Sequence, residues 1–325
     1  MKRELIETMC PICHIRDWKI WVEPWEKYSI YRCSNCEGEF TQTDNTSSYY
    51  EKAYKFGGNI MEDSYKLGIC VSPEENIKDA LRASPEYKYA LQFLKNTHAH
   101  KEDKLLDLGC GNGVFAKLAE ETGIEIYALD SSDEAIKYAN EKFGLLNTFV
   151  GSVDNVPSSW SGFNFITCFQ ILEHIQDPSN FVEKIHKLLA PGGYLIMSVP
   201  NKERLAVKLR RREGWDYPPH HITRWSRHTI NILLEAAGFI NISVTISDIT
   251  RSGLGFIFLP AKIHHQIVKQ RLNAAIPVAQ GSEDSFISSK MWSLFINSAD
   301  TFVRLLDYTI GNIYGETLVC FGEKA

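Results

Sequence analysis

Four of the eight cysteines occur as two pairs, and in each pair two residues separate the thiols. They are Cys10, Cys13, Cys33 and Cys36. Nineteen residues lie between the pairs, a spacing typical of a closed four-thiolate zinc site that stabilises a small fold without taking part in catalysis. Aromatic and β-branched residues at 18–22 and 28–32 predict two strands between the pairs. The sequence therefore predicts a structural zinc ribbon.

A glycine-rich turn is the second candidate for chemistry. The apolar run 104–108 predicts a strand that enters Gly109, Gly111 and Gly113 before a helix that extends to about residue 121. Glycines let the backbone approach a ligand closely, and a helix N-terminus offers amide donors. Because dinucleotide enzymes use similar turns, this turn alone does not identify the ligand.

An acidic residue ends the next predicted strand. Asp130 follows the run 124–129 and lies 17 residues after Gly113. A carboxylate at this place can accept hydrogen bonds from ribose hydroxyls. The alternative role for this side chain is a simple cap of the predicted helix at 132–142.

Strands and helices alternate from residue 104 to residue 199. The predicted strands are 104–108, 124–129, 148–150, 163–169 and 194–199, with later strands at 239–246 and 316–321. This alternation predicts an α/β fold with an open, mostly parallel sheet and helices on both faces. In such sheets ligands bind outside the carboxyl ends of the strands. We therefore expect the turns after residues 108, 129, 150 and 169 to share one site.

Candidate proton-transfer groups follow the strand at 163–169. Glu173 and His174 come first, and His220 and His221 lie in a proline-stiffened stretch after the next strand. Adjacent residues of an extended chain point in opposite directions, so one of the two histidines can face a substrate while the other packs. Histidine suits a general base near neutral pH. A structural role remains the alternative for the histidines.

These motifs together resemble a known family. Residues 105–113 look like the first motif of class I S-adenosylmethionine-dependent methyltransferases, and residues 172–178 and 190–193 resemble later landmarks of that family. The motifs cover about residues 86–245. The chain resembles the ubiquinone-biosynthesis O-methyltransferase type and the zinc-ribbon-headed methyltransferases of sugar and natural-product pathways. This resemblance implies a Rossmann-like, seven-stranded methyltransferase fold.

The resemblance also implies which residues contact S-adenosylmethionine. Asp107 would lie near the methionine amino group, Asp130 at the ribose, and Ser152 at the adenine, where many relatives have Asp. Phe169 and Gln170 would lie beside the transferable methyl group. The full set of implied contacts is Asp107, Gly109, Cys110, Gly111, Asn112, Gly113, Asp130, Ser131, Ser152, Val153, Phe169 and Gln170.

Composition limits the partners. Lys and Arg number 35 and Asp and Glu number 40, so the formal net charge is −5, whereas dedicated nucleic-acid binders are usually basic. The run 202–212 carries six basic residues and one acidic residue, and it is either a solvated helix face or an anion contact at the mouth of the site. No apolar segment approaches the roughly 18 residues of a spanning helix. With no secretory signal predicted, we expect a cytoplasmic protein.

The chain is expected to have three parts. The ribbon occupies 1–48, the methyltransferase core 49–250 with 313–325, and a helical insertion or lid 251–312. Apolar residues at helical spacing in the insertion predict a core-packing lid or a homodimer face, with peripheral membrane contact as the alternative. Tyrosines within 49–54 either close over the cofactor or pack in the core.

We expect methyl transfer from S-adenosylmethionine to a small-molecule or carrier-linked acceptor, of sugar or lipid-like character. The candidate catalytic residues are His220, His221, His174 and Glu173. Methylation of rRNA or tRNA is the alternative reaction, and a catalytically silent cofactor-binding scaffold is the alternative of another class. An NAD-linked enzyme is less favoured because residues 172–178 and 190–193 resemble methyltransferase landmarks. The glycine turn alone does not exclude such an enzyme, since Ala116 is a tolerated replacement for the third glycine of the dinucleotide-binding pattern counted from Gly111.

Overall fold

The computed structural model describes residues 9–16, 23–25, 28–42, 84–208, 216–247 and 315–325. The predicted strand at 18–22, the tyrosines within 49–54, the arginines at 210–212 and the insertion at 251–312 lie outside the described residues.

Strands and helices follow one another largely as the hydrophobic patterns predict. The strands are β1 (Glu23–Trp25), β2 (Tyr28–Arg32), β3 (Glu39–Phe40), β4 (Lys104–Leu108), β5 (Glu125–Asp130), β6 (Asn147–Val150), β7 (Phe163–Phe169), β8 (Leu189–Pro200), β9 (Thr223–Arg224), β10 (Phe239–Ile246) and β11 (Thr317–Lys324). The α-helices are α1 (Pro85–Asn96), α2 (Val114–Glu120), α3 (Asp133–Phe143), α4 (Pro178–Leu188), α5 (Leu205–Lys208) and α6 (Arg227–Ala236), and a 3-10 turn spans Leu172–His174.

A seven-stranded sheet forms the centre of the methyltransferase-like region, in the order β10-β11-β8-β7-β4-β5-β6. Five strands, β4 to β8, run parallel, while β11 lies antiparallel between β8 and β10. The predicted Rossmann-like α/β fold is confirmed. Because β4, β5, β6 and β7 end at one edge, the turns that follow them come together there.

Local signals explain where two helices begin. Ser132 Oγ accepts the Ala135 N–H at 3.2 Å at the start of α3, and Asp177 Oδ1 accepts the Asn180 N–H at 3.1 Å at the start of α4. Pro178 occupies the first position of α4, where its fixed φ suits a helix and its missing N–H costs no hydrogen bond. These caps fix the places where the chain leaves the carboxyl edge of the sheet.

Strand β8 begins earlier than the sequence predicts. The Pro-Gly-Gly segment predicts a turn and a strand from Tyr194, but β8 begins at Leu189 and contains 12 residues. A Cβ atom on Gly193 would lie 2.8 Å from Phe163 O in the neighbouring β7. Since glycine has no side chain, the backbone pairs closely there, with an irregular register between Phe163 and Phe165.

A second, four-stranded sheet joins the cysteine-bearing segment (described residues 9–16, 23–25 and 28–42) to the rest of the fold. Its order is β1-β2-β3-β9, and all its pairs are antiparallel. Strand β9 comes directly after the candidate histidines in sequence. The cysteine-bearing segment therefore pairs with the stretch of chain that carries His220 and His221. Within the described ranges, the structure contains no helix that is both long and apolar enough to cross a membrane.

Candidate functional site

The glycine-rich turn lies between β4 and α2. Gly109, Gly111 and Gly113 have φ angles of 74°, 53° and 81°, in the region where L side chains are strained. A Cβ atom on Gly113 would lie 2.8 Å from Ala139 Cβ, so this glycine permits the close approach of α2 and α3. A Cβ atom on Gly111 would meet no atom within 4 Å. The space beside Gly111 is thus open to a ligand.

Asp130 holds this turn from the end of β5. Its Oδ2 accepts the Gly111 N–H at 2.8 Å, and its Oδ1 accepts the Ser132 N–H at 2.9 Å. Burial raises the pKa of Asp130, while the same amide contacts lower it. Each carboxylate oxygen has a second lone pair for a hydroxyl group. The cap of α3 is Ser132, so capping is not the role of Asp130.

Asp107 is buried at 2% exposure on β4. Thr167 Oγ1 donates to its Oδ1 at 2.8 Å, whereas its Oδ2 has no hydrogen-bond partner among the described residues. Burial raises the pKa of Asp107 to about 7, against the lowering effect of the Thr167 hydrogen bond. A buried carboxylate oxygen without a donor is costly, so this atom would gain from a cationic ligand.

The remaining predicted contacts on these two turns differ in exposure. Cys110 is buried, and its N–H donates to Leu129 O at 3.0 Å. Asn112 is half-buried, and Ser131 is exposed just before α3. The backbone of the turn is therefore fixed by β5, whichever of these side chains a ligand contacts.

Ser152 and Val153 form the loop after β6. The Ser152 N–H donates to Asn155 Oδ1 at 2.7 Å, and the Gly151 N–H donates to Asp130 O at 2.8 Å. Val153 is half-buried against the core. Sequence reasoning missed Asn155, although asparagine in a short polar run is a usual signal for a loop closed by its own side chain.

An aromatic cluster surrounds the end of β7. The Phe169 ring lies 4.7 Å from the Phe115 ring and 5.3 Å from the Tyr87 ring, between centroids. Gln170 has a φ of 54°, and its side-chain Nε2 donates to Ser198 Oγ at 3.1 Å. Phe169 and Gln170 were predicted from the sequence, whereas Tyr87 and Phe115 were not.

Three predicted catalytic histidines come together. The ring of His174 lies 5.0 Å from the rings of both His220 and His221, and those two rings lie 4.7 Å apart, between centroids. Nδ1 of His174 lies 2.8 Å from His220 O. One ring nitrogen from each lies within 4.8 Å of the others, close enough to share an ion. Burial, then mutual repulsion, lowers the pKa of His174, so it is neutral near pH 7.

Glu173 is buried at 1% exposure below this histidine cluster. Burial raises its pKa to about 8, and the nearby Glu86 carboxyl raises it further. Its Oε2 has no hydrogen-bond partner among the described residues. Ile222 N–H donates to Glu173 O at 2.9 Å, which ties the histidine stretch to the end of β7. A carboxyl that is protonated at neutral pH is a poor metal ligand, and it can donate its proton.

Asp216 is the centre of a buried charge network that the sequence analysis missed. Arg204 and Arg224 lie 3.0 and 3.1 Å from its Oδ2, and His221 Nδ1 lies 3.5 Å from its Oδ1. Arg204 and Lys202, the first two cations of the predicted basic run, are buried. They are therefore committed to interior ion pairs and cannot form part of a solvated face. No local pattern in the sequence signals such pairing.

The four cysteines of the two pairs also come together. Their Sγ atoms lie within 4.8 Å of one another, with Cys10 and Cys36 at 3.8 Å and Cys13 and Cys33 at 3.7 Å. Tetrahedral zinc with bonds of about 2.3 Å would hold sulfur atoms about 3.8 Å apart. These contacts exceed a disulfide bond length, and the thiols are free. The cluster therefore has the size of a four-thiolate metal site.

Comparison with known proteins places the fold and the turn in a family. The sequence model of a family described as a methyltransferase domain matches residues 78–244, more than half of the chain. The chain belongs to this methyltransferase family. Together with the sheet order and the glycine turn, this match identifies an S-adenosylmethionine-dependent methyltransferase, as the sequence predicts.

Two relatives show how far the similarity extends. A probable S-adenosylmethionine-dependent methyltransferase from Mycolicibacterium smegmatis is 25% identical over 198 residues, 60% of this chain and 74% of that protein. A ubiquinone biosynthesis O-methyltransferase from Xanthomonas oryzae pv. oryzae is 28% identical over 155 residues, 45% of this chain and 64% of that protein. The alignment with the ubiquinone enzyme thus spans less than two thirds of its length.

A solved structure shows the shared fold. Haemonchus contortus phosphoethanolamine N-methyltransferase 2, in complex with phosphomonomethylethanolamine and S-adenosylhomocysteine, aligns with a TM-score of 0.51 at 14% identity. The alignment covers 88% of this chain and 62% of that chain.

Proposed function

We propose that this methyltransferase acts on a small-molecule or carrier-linked acceptor that enters beside the histidine cluster. The observation that carries the proposal is the commitment of Lys202 and Arg204 to buried ion pairs, together with a candidate site built from buried side chains. An enzyme that tracks duplex RNA needs exposed cations along a surface, and among the described cations of the basic run only Lys208 is exposed. A compact acceptor suits a site lined by interior groups.

The residues at the glycine turn fit S-adenosylmethionine. Asp107 offers a buried carboxylate oxygen for the methionine ammonium, Asp130 offers lone pairs for the ribose hydroxyls, and Gly111 leaves open space for the ligand. When bound, the cofactor supplies an electrophilic methyl group and a good leaving group. Phe169, with its neighbouring rings, provides an apolar boundary at the end of β7.

The histidine cluster supplies a proton acceptor for a hydroxyl or an acidic carbon acceptor. A neutral imidazole can take a proton as the nucleophile attacks, provided that its lone pair faces the acceptor. Burial, then mutual repulsion, lowers the pKa of His220 to about 3, and burial lowers that of His221. Both rings are therefore neutral near pH 7. His221 also lies beside a carboxylate, which favours it as the base.

The four-cysteine cluster is proposed to hold one structural zinc ion. Cys10, Cys33 and Cys36 are fully buried, and four sulfur ligands leave no open position for catalysis. The division into a ribbon at 1–48, a core and an insertion at 251–312 stays a prediction, as do the homodimer and membrane contacts through the insertion.

Calorimetric titration with S-adenosylhomocysteine tests the cofactor site. Asp130→Ala is expected to weaken binding about 100-fold, because it removes charge-assisted hydrogen bonds of about 1.5–3 kcal/mol each and releases the Gly111 amide. Asp133→Ala removes an exposed carboxylate three residues later, at the start of α3; it is the matched control and should bind normally. Failure of the wild-type protein to bind S-adenosylhomocysteine would refute the proposed cofactor site.

Methyl transfer from labelled S-adenosylmethionine tests the acceptor class. The wild-type enzyme and His221→Gln are assayed on hydroxylated polyprenyl phenols, on nucleotide sugars and on total tRNA. Incorporation into a small acceptor, lost in His221→Gln while cofactor binding persists, is the expected outcome. Incorporation into tRNA alone, with a steep salt dependence, would replace this proposal with RNA methylation.

A further inference from the structure

The cysteine-bearing segment reaches the histidine cluster through a continuous line of buried and half-buried charged groups. Glu39 Oε2 accepts from Arg224 Nη1 at 2.9 Å, and Arg224 Nη2 donates to Asp216 Oδ2 at 3.1 Å. Asp216 Oδ1 then faces His221 Nδ1 at 3.5 Å. Exposed side-chain fractions along this line are 20% for Glu39, 7% for Arg224, 3% for Asp216 and 12% for His221. Solvent therefore screens these contacts little.

Backbone pairing sets the first contact of the line. Glu39 in β3 lies directly opposite Arg224 in β9, and Thr41 N–H donates to Ile222 O at 2.8 Å. Residues directly opposite in an antiparallel pair have Cβ atoms about 4.5–5.5 Å apart, so the carboxylate meets the guanidinium by register. Strand β3 follows the second cysteine pair after only two residues. A shift of the cysteine segment would thus move Glu39.

The two oxygens of Asp216 have different tasks. Its Oδ2 accepts from both Arg204 and Arg224, which leaves Oδ1 directed at the imidazole. Arg224 has two terminal nitrogens, and Glu39 binds the one that Asp216 does not. A planar guanidinium held at both nitrogens has one orientation. Glu39 therefore helps to determine which oxygen of Asp216 is available to His221.

We propose that Glu39 is a positioning residue for His221, acting through Arg224 and Asp216. The inference rests on the proposed function only in giving His221 a role in proton transfer. Because Asp216 is acceptor-only, it favours the tautomer in which His221 Nδ1 carries the hydrogen, and the lone pair then lies on Nε2. The 3.5 Å distance between His221 Nδ1 and Asp216 Oδ1 is longer than an ordinary hydrogen bond. Catalytic hydrogen bonds are often long in a ligand-free enzyme and shorten when substrate binds.

This arrangement gives the cysteine-bearing segment a task beyond folding. The segment contributes no atom to the reacting centre, but it contributes the carboxylate that orients the arginine beside the base. Lys202, whose Nζ donates to Glu37 O and lies 3.8 Å from Glu39 Oε1, holds the same carboxylate from its other side. The acceptor side is therefore complete only when the cysteine segment is folded against β9.

Histidine side-chain nitrogen spectra test the proposal in the full-length protein with S-adenosylhomocysteine bound. Long-range proton–nitrogen correlations report the tautomer of each ring, and His221→Gln assigns the signal. In wild type we expect the Nδ1–H tautomer of His221. In Glu39→Gln we expect the tautomer ratio to fall by at most about tenfold, because Arg224 loses a charge-assisted hydrogen bond whereas the Asp216–His221 contact itself remains.

A matched control distinguishes an effect of the Glu39 position from a general effect of losing one negative charge. Glu37→Gln makes the same chemical change two residues earlier, where the side chain is exposed and pairs with Arg32. This variant should leave the His221 spectrum unchanged. Glu39→Asp keeps the charge on a shorter stem and should shift the tautomer ratio part of the way. If Glu39→Gln fails to fold, Glu39→Asp carries the test.

The outcomes distinguish two failures. An unchanged His221 tautomer in folded Glu39→Gln, with S-adenosylhomocysteine bound as tightly as in wild type, would overturn the positioning role alone. Absence of binding in the wild-type protein would overturn the proposed function. A tautomer change of equal size in Glu37→Gln would also overturn the proposal, because it would show a general charge effect of the segment.

Discussion

The proposed cofactor side and the proposed acceptor side of this enzyme are held together in different ways. On the cofactor side, Asp130 binds the backbone amide of Gly111, which lies 19 residues earlier. On the acceptor side, Arg224 binds Glu39 across 185 residues, and His174 contacts the His220 carbonyl across 46. The first side uses backbone amides and glycines of a local motif, whereas the second uses buried charges from distant segments. We therefore expect mutations to act on the two sides through different mechanisms.

The largest expected effect is the loss of the proposed zinc ion. Cys33→Ser should reduce bound zinc from one per chain to near zero. It should lower the free energy of unfolding by more than about 5 kcal/mol, since structural zinc in small domains contributes roughly 10–16 kcal/mol. Metal analysis and urea unfolding measure both quantities.

Ser34→Ala, an exposed change within the same cysteine pair, is the control and should keep both zinc and stability. A metal-free wild-type protein that is fully folded would refute the zinc ribbon. A second metal equivalent that survives in Cys33→Ser would instead assign an ion to the histidine cluster.

Removal of the buried carboxylate at the centre of the charge network should come next in size. Asp216→Ala leaves Arg204 and Arg224 as uncompensated buried cations, and the expected loss of stability is about 3–5 kcal/mol. Asp154→Ala breaks the exposed pair with Lys184 and should cost less than about 1 kcal/mol. Chemical unfolding measures both losses of stability. Equal losses in the two variants would contradict the expected difference between a buried and an exposed carboxylate.

On the cofactor side, two glycines that both have positive φ angles should respond differently. Gly113→Ala combines left-handed strain with a 2.8 Å contact to Ala139 Cβ, so we expect a stability loss of about 2–3 kcal/mol. Gly111→Ala meets open space and should cost about 1 kcal/mol. Binding of S-adenosylhomocysteine should weaken more in the second variant, because its methyl group enters the ligand space. The reverse order of binding losses would disprove this interpretation.

The smallest effect is a pH dependence of cofactor binding. Burial raises the pKa of Asp107 from 3.8 to about 7, so without ligand this group lowers stability as the pH rises from about 4 to about 7. The ionised form is the one that binds an ammonium group. S-adenosylhomocysteine affinity should therefore rise about tenfold from pH 6 to pH 8, and Asp107→Asn should abolish this rise. A flat wild-type profile in calorimetry would remove Asp107 from the ammonium site.

The match between sequence and structure follows the same division. The strand before the glycine turn, the acidic end of β5 and the strand Phe163–Phe169 were predicted from local periodicity and spacing. The early start of β8 was not, because the absence of a side chain at Gly193 matters only beside Phe163. The buried pairs of Lys202 and Arg204 were also missed, since their sequence neighbours suggest an exposed basic run.

The sequence by itself determined the open, mostly parallel α/β sheet, the glycine turn and the spacing of the four cysteines, and its resemblance to a methyltransferase family implied the seven-stranded form. Hydrophobic periodicity, turn residues and the spacing of metal ligands are local properties, so they can be recognised without the tertiary structure. Only the tertiary structure decided that β3 pairs with β9 and that Glu39, Arg224, Asp216 and His221 form one line. Contacts between distant segments depend on strand register and on burial, and no single stretch of sequence encodes either.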